Sequence, residues 1–560
     1  MHFNVLKYFI LISAFVIGTN DVKAQRKSKK NNTVVSDVTI KTSPKLVVGI
    51  VVDQMRYDYL TRFWNHYEDG GFKRMVNEGF NCKNNHFNYA PTSTGPGHAS
   101  VYTGTSPATH GIIGNDWFDK ELGKSVYCAG DDGYASVGTT SKAGKMSPHR
   151  MITTTITDEL RLHTQMRGKT IAIALKDRGA VLPGGHTANA AYWFDGNKAA
   201  NWITSSYYMK ELPKWVADFN SAKSVAKYKK PWDTAKPINT YLESVIDNNP
   251  YEGLFKGETT PTFPHDLPKL WEENGNYSIL KSSPYGNSLT ADFAIAAIEG
   301  ENLGADNIPD FLAISFSSTD YVGHKFGVDS KEVQDTYIQL DKDLSRLFSE
   351  LDKKVGAGEY TVFLSADHAA VPVPAYLKDK KIPAAYFDSN EMKEKLNEFV
   401  KFTYGTTDLI KDISNYQIFL DHKVIKNLDM SLKEVEESLA IEILNYKDID
   451  RVFTGHQMWQ SNYTHGIPYI LQNGFNQKRS GDVLFVLRPD VISYSKTGST
   501  HGSPQIYDTH APLLFFGKGI KRGSTVARTE IPDIAPTMAA LLGVSFPSGT
   551  TGKPIVEVLE

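Results

Sequence analysis

The chain has 560 residues, 41% of them hydrophobic and 22% charged, with a formal net charge of −2. That length exceeds what a single compact core fills, about 250–300 residues, so a large core domain with insertions, or two domains, is expected. The composition is that of an ordinary globular protein, and the near-balanced charge argues against a nucleic-acid or anionic-membrane partner.

Residues 1–24 read as a signal peptide. Lys7 supplies a positive start, Tyr8–Ile17 an apolar core, and Val22-Lys23-Ala24 a small-residue cleavage pattern. The apolar stretch is shorter than the roughly 20 residues a spanning helix needs, which sets an uncleaved anchor second. No cysteine follows it, which argues against a lipoprotein. An exported protein, periplasmic or secreted after cleavage near Ala24, with no stable membrane partner, is expected. Residues 25–44 open with a basic cluster, Arg26 to Lys30, and read as a flexible polar leader.

The core begins at Leu46. Leu46–Val52, Phe311–Phe316 and Thr361–Leu364 are short apolar runs without polar alternation, the pattern of strands buried on both faces of a parallel sheet. Thr170–Leu175, Asp482–Leu487 and Leu513–Phe516 are further strand candidates. Val333, Tyr337, Leu340, Leu344, Leu347 and Leu351 recur at helical spacing and form one apolar stripe. Ile531–Leu542, with Pro536 inside and Gly543 after it, predicts a late helix. The alternation predicts an α/β fold: a large, mostly parallel central sheet with helices on both faces. Residues 185–290, rich in Trp, Tyr, Pro and Asn, and residues 373–480, with one clear helix at Leu432–Leu444, read as cap insertions on a catalytic domain spanning 45–560.

Each of the three core runs leads to a carboxylate: Asp53, Asp320 and Asp367. Ligands of open α/β sheets collect beyond the carboxyl ends of the strands. Asp320 and His324, four apart, share a face on a helical turn. Asp367 and His368 are adjacent, so they share an ion only past a strand end, which Ser365-Ala366 provides. Singly these are ordinary cap or turn residues. Together with His501, in Gly-Ser-Thr-His-Gly-Ser, they offer enough oxygen and nitrogen ligands for two borderline-soft ions.

In Pro91-Thr-Ser-Thr-Gly-Pro-Gly-His98 a hydroxyl stands just before a helical pattern, with Pro96 suited to the first turn. Such a threonine is usually an N-cap; beside a metal ion it becomes a nucleophile. Thr94 is preferred over Thr92 and Ser93 because it lies closest to the helix start. Lys176 and Arg178 follow the strand Thr170–Leu175, and in extended geometry both face one edge, where they would stabilise phosphoryl oxygens. A surface pair flanking Asp177 is the equal alternative.

This set, Asp53, Thr94-x-x-Gly-His, Asp320-x-x-x-His324, Asp367-His368 and His501-Gly, resembles the two-zinc alkaline phosphatase superfamily. The strings Pro91–His98, Tyr102–Trp117 and Leu175–Gly179 are similar to the threonine-nucleophile, PafA-type alkaline phosphatases. The resemblance implies an exported phosphomonoesterase acting on small phosphate monoesters through a phosphothreonine intermediate. It implies one zinc held by Asp320, His324 and His501, and another by Asp53, Asp367, His368 and Thr94. Asn115, Lys176 and Arg178 would grip the phosphoryl oxygens. The lysine takes the place of the superfamily's magnesium, so no magnesium site is expected.

The nearest rival is a phosphodiesterase or nucleotide pyrophosphatase of the same superfamily; two cations at the nucleophile suit a monoester better than a diester. A sulfatase lacks its C/S-x-P-x-R string here. A non-catalytic phosphate or glycan binder would be expected to have lost ligands. The sequence leaves open the physiological ester, the oligomeric state, and whether Cys82 and Cys128 pair. His98, His110, His186 and His510, near these motifs, are read as structural.

Overall fold

A computed structural model describes residues 43–196 and 200–560. The signal peptide and all but Ser43 and Pro44 of the polar leader lie outside the described residues. Ten strands form one sheet, in the order Gly523–Glu530, Phe80–His86, Leu513–Gly517, Tyr360–Ser365, Leu46–Val52, Asp310–Phe316, Thr170–Ala174, Ala190–Asp195, Asn201–Ser205 and Ser136–Val137. From Tyr360–Ser365 to Ala190–Asp195 every neighbour is parallel. These central strands are buried along their whole length, because helices cover both faces and nothing polar can be spared to solvent.

Outside that centre the sheet is mixed. Leu513–Gly517 runs antiparallel to Tyr360–Ser365, and Ala190–Asp195 pairs antiparallel with Asn201–Ser205. The stretch 185–290 therefore is not wholly an insertion, since its first two strands extend the central sheet. Asp482–Leu487 also differs from expectation. The strand is Val483–Leu487, and it belongs to a separate antiparallel sheet with Ile410–Ser414, Gln417–Leu420 and Ile449–Thr454. Helices Ser389–Tyr404 and Leu432–Leu444 pack on that sheet around Leu396, Val400, Val435, Leu439 and Ile418, giving the 373–490 region a core of its own. The first of these helices escapes sequence reading: its buried positions, Met392, Leu396 and Val400, form a thin stripe.

The helix at Lys331–Leu351 buries all six residues of its apolar stripe, and Ser330 caps it by accepting from the Val333 N–H at 3.1 Å. Ile531–Leu542 is a 3-10 turn, Ile531–Asp533, followed by the helix Ile534–Leu542. Pro536 falls in the first turn of that helix, where no N–H is needed. Gly543, at φ +67°, closes it in the left-handed region. Cys82 and Cys128 are both buried free thiols.

Register makes the site. Val52 stands opposite Phe316, Val51 opposite Ser365, and Ser315 opposite Ala174. Four neighbouring strands thus end level, and the chain segments that leave them carry Asp53, Asp320, Asp367 and Lys176 to one edge.

Candidate active site

Thr94 opens the helix Thr94–Thr103, which is buried on every side. Glycine permits this. A Cβ on Gly97 would lie 2.1 Å from the Asp367 carbonyl oxygen, so only glycine lets the helix start approach the Asp367 backbone. His98 fixes the same turn, with Nδ1 2.9 Å from the Thr94 carbonyl and Nε2 2.9 Å from Ser315 Oγ. Burial lowers its pKa to about 3, so it is a neutral positioning residue.

Asp320 sits in the first turn of the helix Ser318–Phe326, with His324 one turn later. His324 Nε2 is 3.2 Å and His501 Nε2 3.7 Å from Asp320 Oδ1. His368 Nε2 is 3.5 Å from both Asp53 Oδ1 and Asp367 Oδ2, and the His368 and His501 rings stack at 3.4 Å. Each imidazole has Nδ1 beside a backbone carbonyl: His324 with Ser499 at 2.7 Å, His501 with Thr92 at 2.6 Å, His368 with Ala369 at 3.1 Å. Donation from Nδ1 leaves Nε2 as an inward lone pair, the arrangement that orients metal-ligating histidines. The candidate ligand groups are Asp320, His324 and His501, and Asp53, Asp320 and His368. Asp320 is common to both groups and Asp367 closes the far side, so the six expected carboxylate and imidazole ligands line one basin.

The electrostatics fit divalent cations. Burial, helped by the Asp320 charge, pushes Asp53 up to about 6. Burial and then Asp53 push Asp367 well above the carboxylate range. Burial takes the imidazoles the other way, His501 down to about 3 and His368 well below its ordinary value. Asp320 goes the opposite way to the other two acids, held well below the carboxylate range because His324 and Lys176 outweigh its burial. Asp53 Oδ1, Asp367 Oδ2 and His368 Nε2 are buried without a hydrogen-bond partner. Opposed buried acids facing neutral imidazole nitrogens are a nitrogen and oxygen donor set suited to zinc-like ions.

Around Thr94 the predicted cations converge. Lys176 Nζ lies 3.5 Å and Arg178 Nη2 3.3 Å from Thr94 Oγ1. The route differs from the extended geometry expected. The strand ends at Ala174, Lys176 caps the helix Asp177–Gly184, and Arg178 is its second residue. Lys176 Nζ also contacts Asp53 Oδ2 and Asp320 Oδ2, each at 2.6 Å. Burial opposes its charge, but those carboxylates outweigh it and hold the ammonium protonated. Arg178 donates from Nη1 to the Tyr127 hydroxyl at 3.2 Å, and Tyr127 donates to Asp177. Asn115 Oδ1 accepts from the Gly95 N–H at 2.7 Å, which leaves its amide Nδ2 as the donor beside Thr94.

Gln54 was not legible in the sequence. At φ +64° it turns its N–H to Asp367 Oδ1 (3.1 Å) and its Nε2 to Asp320 Oδ1 (2.7 Å), linking acids that follow two different strands. Tyr127 and Tyr321 were missed too; Lys176 Nζ sits 5.0 Å above the Tyr321 ring. Adjacency to Asp53 was the only signal for Gln54, and the two tyrosines carry none.

A family model described as type I phosphodiesterase / nucleotide pyrophosphatase matches residues 47–512. The chain is 48% identical over 526 residues to a Myroides odoratus protein named calcium-transporting ATPase, covering 92% of this chain and 95% of that one. It is 46% identical over 520 residues to alkaline phosphatase PafA of Elizabethkingia meningoseptica, covering 92% and 94%. A crystal structure of wild-type alkaline phosphatase PafA superposes with a TM-score of 0.89 at 46% identity, covering 92% of this chain and 99% of that one.

Proposed function

The chain belongs to the type I phosphodiesterase / nucleotide pyrophosphatase family, and from that membership and the basin around Thr94 we propose that it is an exported, two-zinc alkaline phosphatase that hydrolyses phosphate monoesters through a phosphothreonine. Likeness to alkaline phosphatase PafA over most of both chains supports the phosphomonoesterase reading. Asp320, His324 and His501 would hold one cation, and Asp53, Asp367 and His368, with Thr94, the other. When bound, the two cations supply Lewis-acid activation of the attacking hydroxyl and neutralise charge on the leaving oxygen.

The chain's own residues do the rest. The helix start, with His98 on the Thr94 carbonyl, fixes the direction of Oγ1 toward phosphorus. Arg178, oriented by Tyr127, and Asn115, oriented by the Gly95 N–H, donate to equatorial phosphoryl oxygens, whose charge peaks in a loose transition state. Lys176 adds positive charge between Asp53 and Asp320, and with it the reading needs no magnesium. Export rests on the charged, apolar and small-residue order of 1–24.

One observation carries the reading: orphaned ligand atoms on Asp53, Asp367 and His368 lie in the same basin as a threonine hydroxyl within 3.5 Å of two cations. The family description favours a second reading, a diesterase. Two cations at Thr94 oppose it, because a diester puts an organic group where a monoester puts charge. Among the described residues no helix is long and apolar enough to cross a membrane. The test compares p-nitrophenyl phosphate with bis-p-nitrophenyl phosphate on zinc-loaded protein. Monoester turnover should dominate, vanish on chelation and return with zinc, and Thr94→Ala should lose the acid-trapped phosphoenzyme. Preferential bis-ester turnover would establish the diesterase, and a surviving label in the variant would move the nucleophile elsewhere.

A further inference from the structure

A cavity of about 260 Å³ adjoins the basin, with Ser93, the neighbour of Thr94, and His501 on its inner side. Its outer wall comes from the 373–490 region: Phe387, Ile413, Tyr416 and Phe485. The three aromatic rings are contiguous, Phe387 6.0 Å and Tyr416 5.8 Å from Phe485. Among the described residues lining it, none bears a Lys, Arg, Asp or Glu side chain.

The wall is anchored to the site at some conformational cost. Ser414 pairs with Gln417 across a two-residue hairpin turn whose central residues, Asn415 and Tyr416, have φ of +52° and +59°. Such a turn favours Asn-Gly, and a tyrosine at its second position is strained. Asn415 Nδ2 donates to the Asp116 carbonyl at 2.6 Å, tying the hairpin tip to the residue after Asn115. Strain of this kind persists where the surroundings hold a side chain for use. Here they hold the Tyr416 ring over the cavity.

Building on the phosphomonoesterase reading, we propose that this cavity is the leaving-group subsite, and that it selects esters of uncharged aryl or heteroaryl alcohols over esters with a second anionic group. Its volume, just under the usual 300–1,000 Å³ of a drug-sized site, suits one ring system and its substituents. Aromatic walls supply stacking. A second phosphate or carboxylate would meet the aromatic wall with no Lys or Arg side chain in the lining to pair with it.

Tyr416→Gly tests this without disturbing the turn, since glycine is the residue that geometry favours. On zinc-loaded enzyme, kcat/KM for 2-naphthyl phosphate divided by that for methyl phosphate should fall about three- to tenfold relative to wild type. An unchanged ratio, including an equal loss on both esters, overturns the subsite. Ser389→Lys, at the exposed mouth of the cavity, gives an independent readout: it should raise 4-carboxyphenyl phosphate turnover relative to phenyl phosphate. If that ratio does not move, the proposal is overturned as well. Failure of the underlying reading is distinct, because wild type would then hydrolyse none of these monoesters.

Discussion

Arg178 and Lys176 both reach Thr94 Oγ1, yet they are not equivalent. Lys176 neutralises Asp53 and Asp320, so removing its charge leaves two buried carboxylates unpaired, a change that typically costs about 3–5 kcal/mol. Arg178 is held by a neutral tyrosine and has a buried Nε without a partner, so its spare donors are free for substrate. Arg178→Ala should therefore lower monoester kcat/KM by about 10²–10³, with little loss of stability and a much smaller loss on a bis-ester. Equal losses on both substrates, measured in parallel with thermal melts, would remove Arg178 from phosphoryl recognition. At this scale the three clustered acids were legible because three apolar runs each lead to one of them. Gln54 was not, because its role depends on a left-handed backbone turn that no side-chain pattern announces.

The helix Thr94–Thr103 shows what an element must satisfy to bring a hydroxyl to a cluster of buried acids and imidazoles. Its apolar face cannot be read from periodicity, since all ten residues are buried. Its fit rests on small residues instead, with Gly97 against the Asp367 backbone. Gly97→Ala should push Thr94 and Asp367 apart and destabilise the fold by about 1–3 kcal/mol. It should also cut turnover by about 10², the usual consequence of misplacing a reacting group by 1 Å. Wild-type turnover in the variant would show that the close approach is incidental. The same difference explains the strands. The parallel centre was legible from Val, Ile, Leu and Phe runs, whereas Phe80–His86 (Phe-Asn-Cys-Lys-Asn-Asn-His) has no such run. It belongs to the sheet because Asn85 is satisfied inside it, donating to the Ala511 carbonyl and accepting from Thr529. Leu513–Gly517 was recognisable as a strand but not as an antiparallel one, since direction leaves no mark on composition.

Across the whole molecule, the stretch between Lys230 and Leu270 has little regular structure, and its hold on the core is partly polar. His265 lies among Trp232, Phe255, Phe263 and Phe326. Its ring contacts Glu258 at 2.7 Å and, on the long core helix, Glu332 at 3.3 Å. Burial would neutralise it, but hydrogen bonds to those two acids raise its pKa from 6.5 to about 9. An imidazole raised on folding contributes stability that is complete below about pH 6.5 and lost as pH climbs through about 9. Glu252, pushed up to about 10 by burial and then by Glu332, acts in the same direction, because the folded state favours its protonated form and alkaline pH opposes that form. Of the other charged groups facing the cluster, Asp247, raised by burial, acts the same way, whereas Lys331 and Lys325, lowered by burial, act against it. The fold should therefore weaken through the alkaline range. His265→Gln isolates the effect. Its urea midpoint should lie well below wild type near pH 7, and the gap should narrow by pH 10, where wild type has lost the same charge. A gap that stays constant, or widens, would mean that the aromatic packing around the ring holds this segment and the buried ion pairs do not.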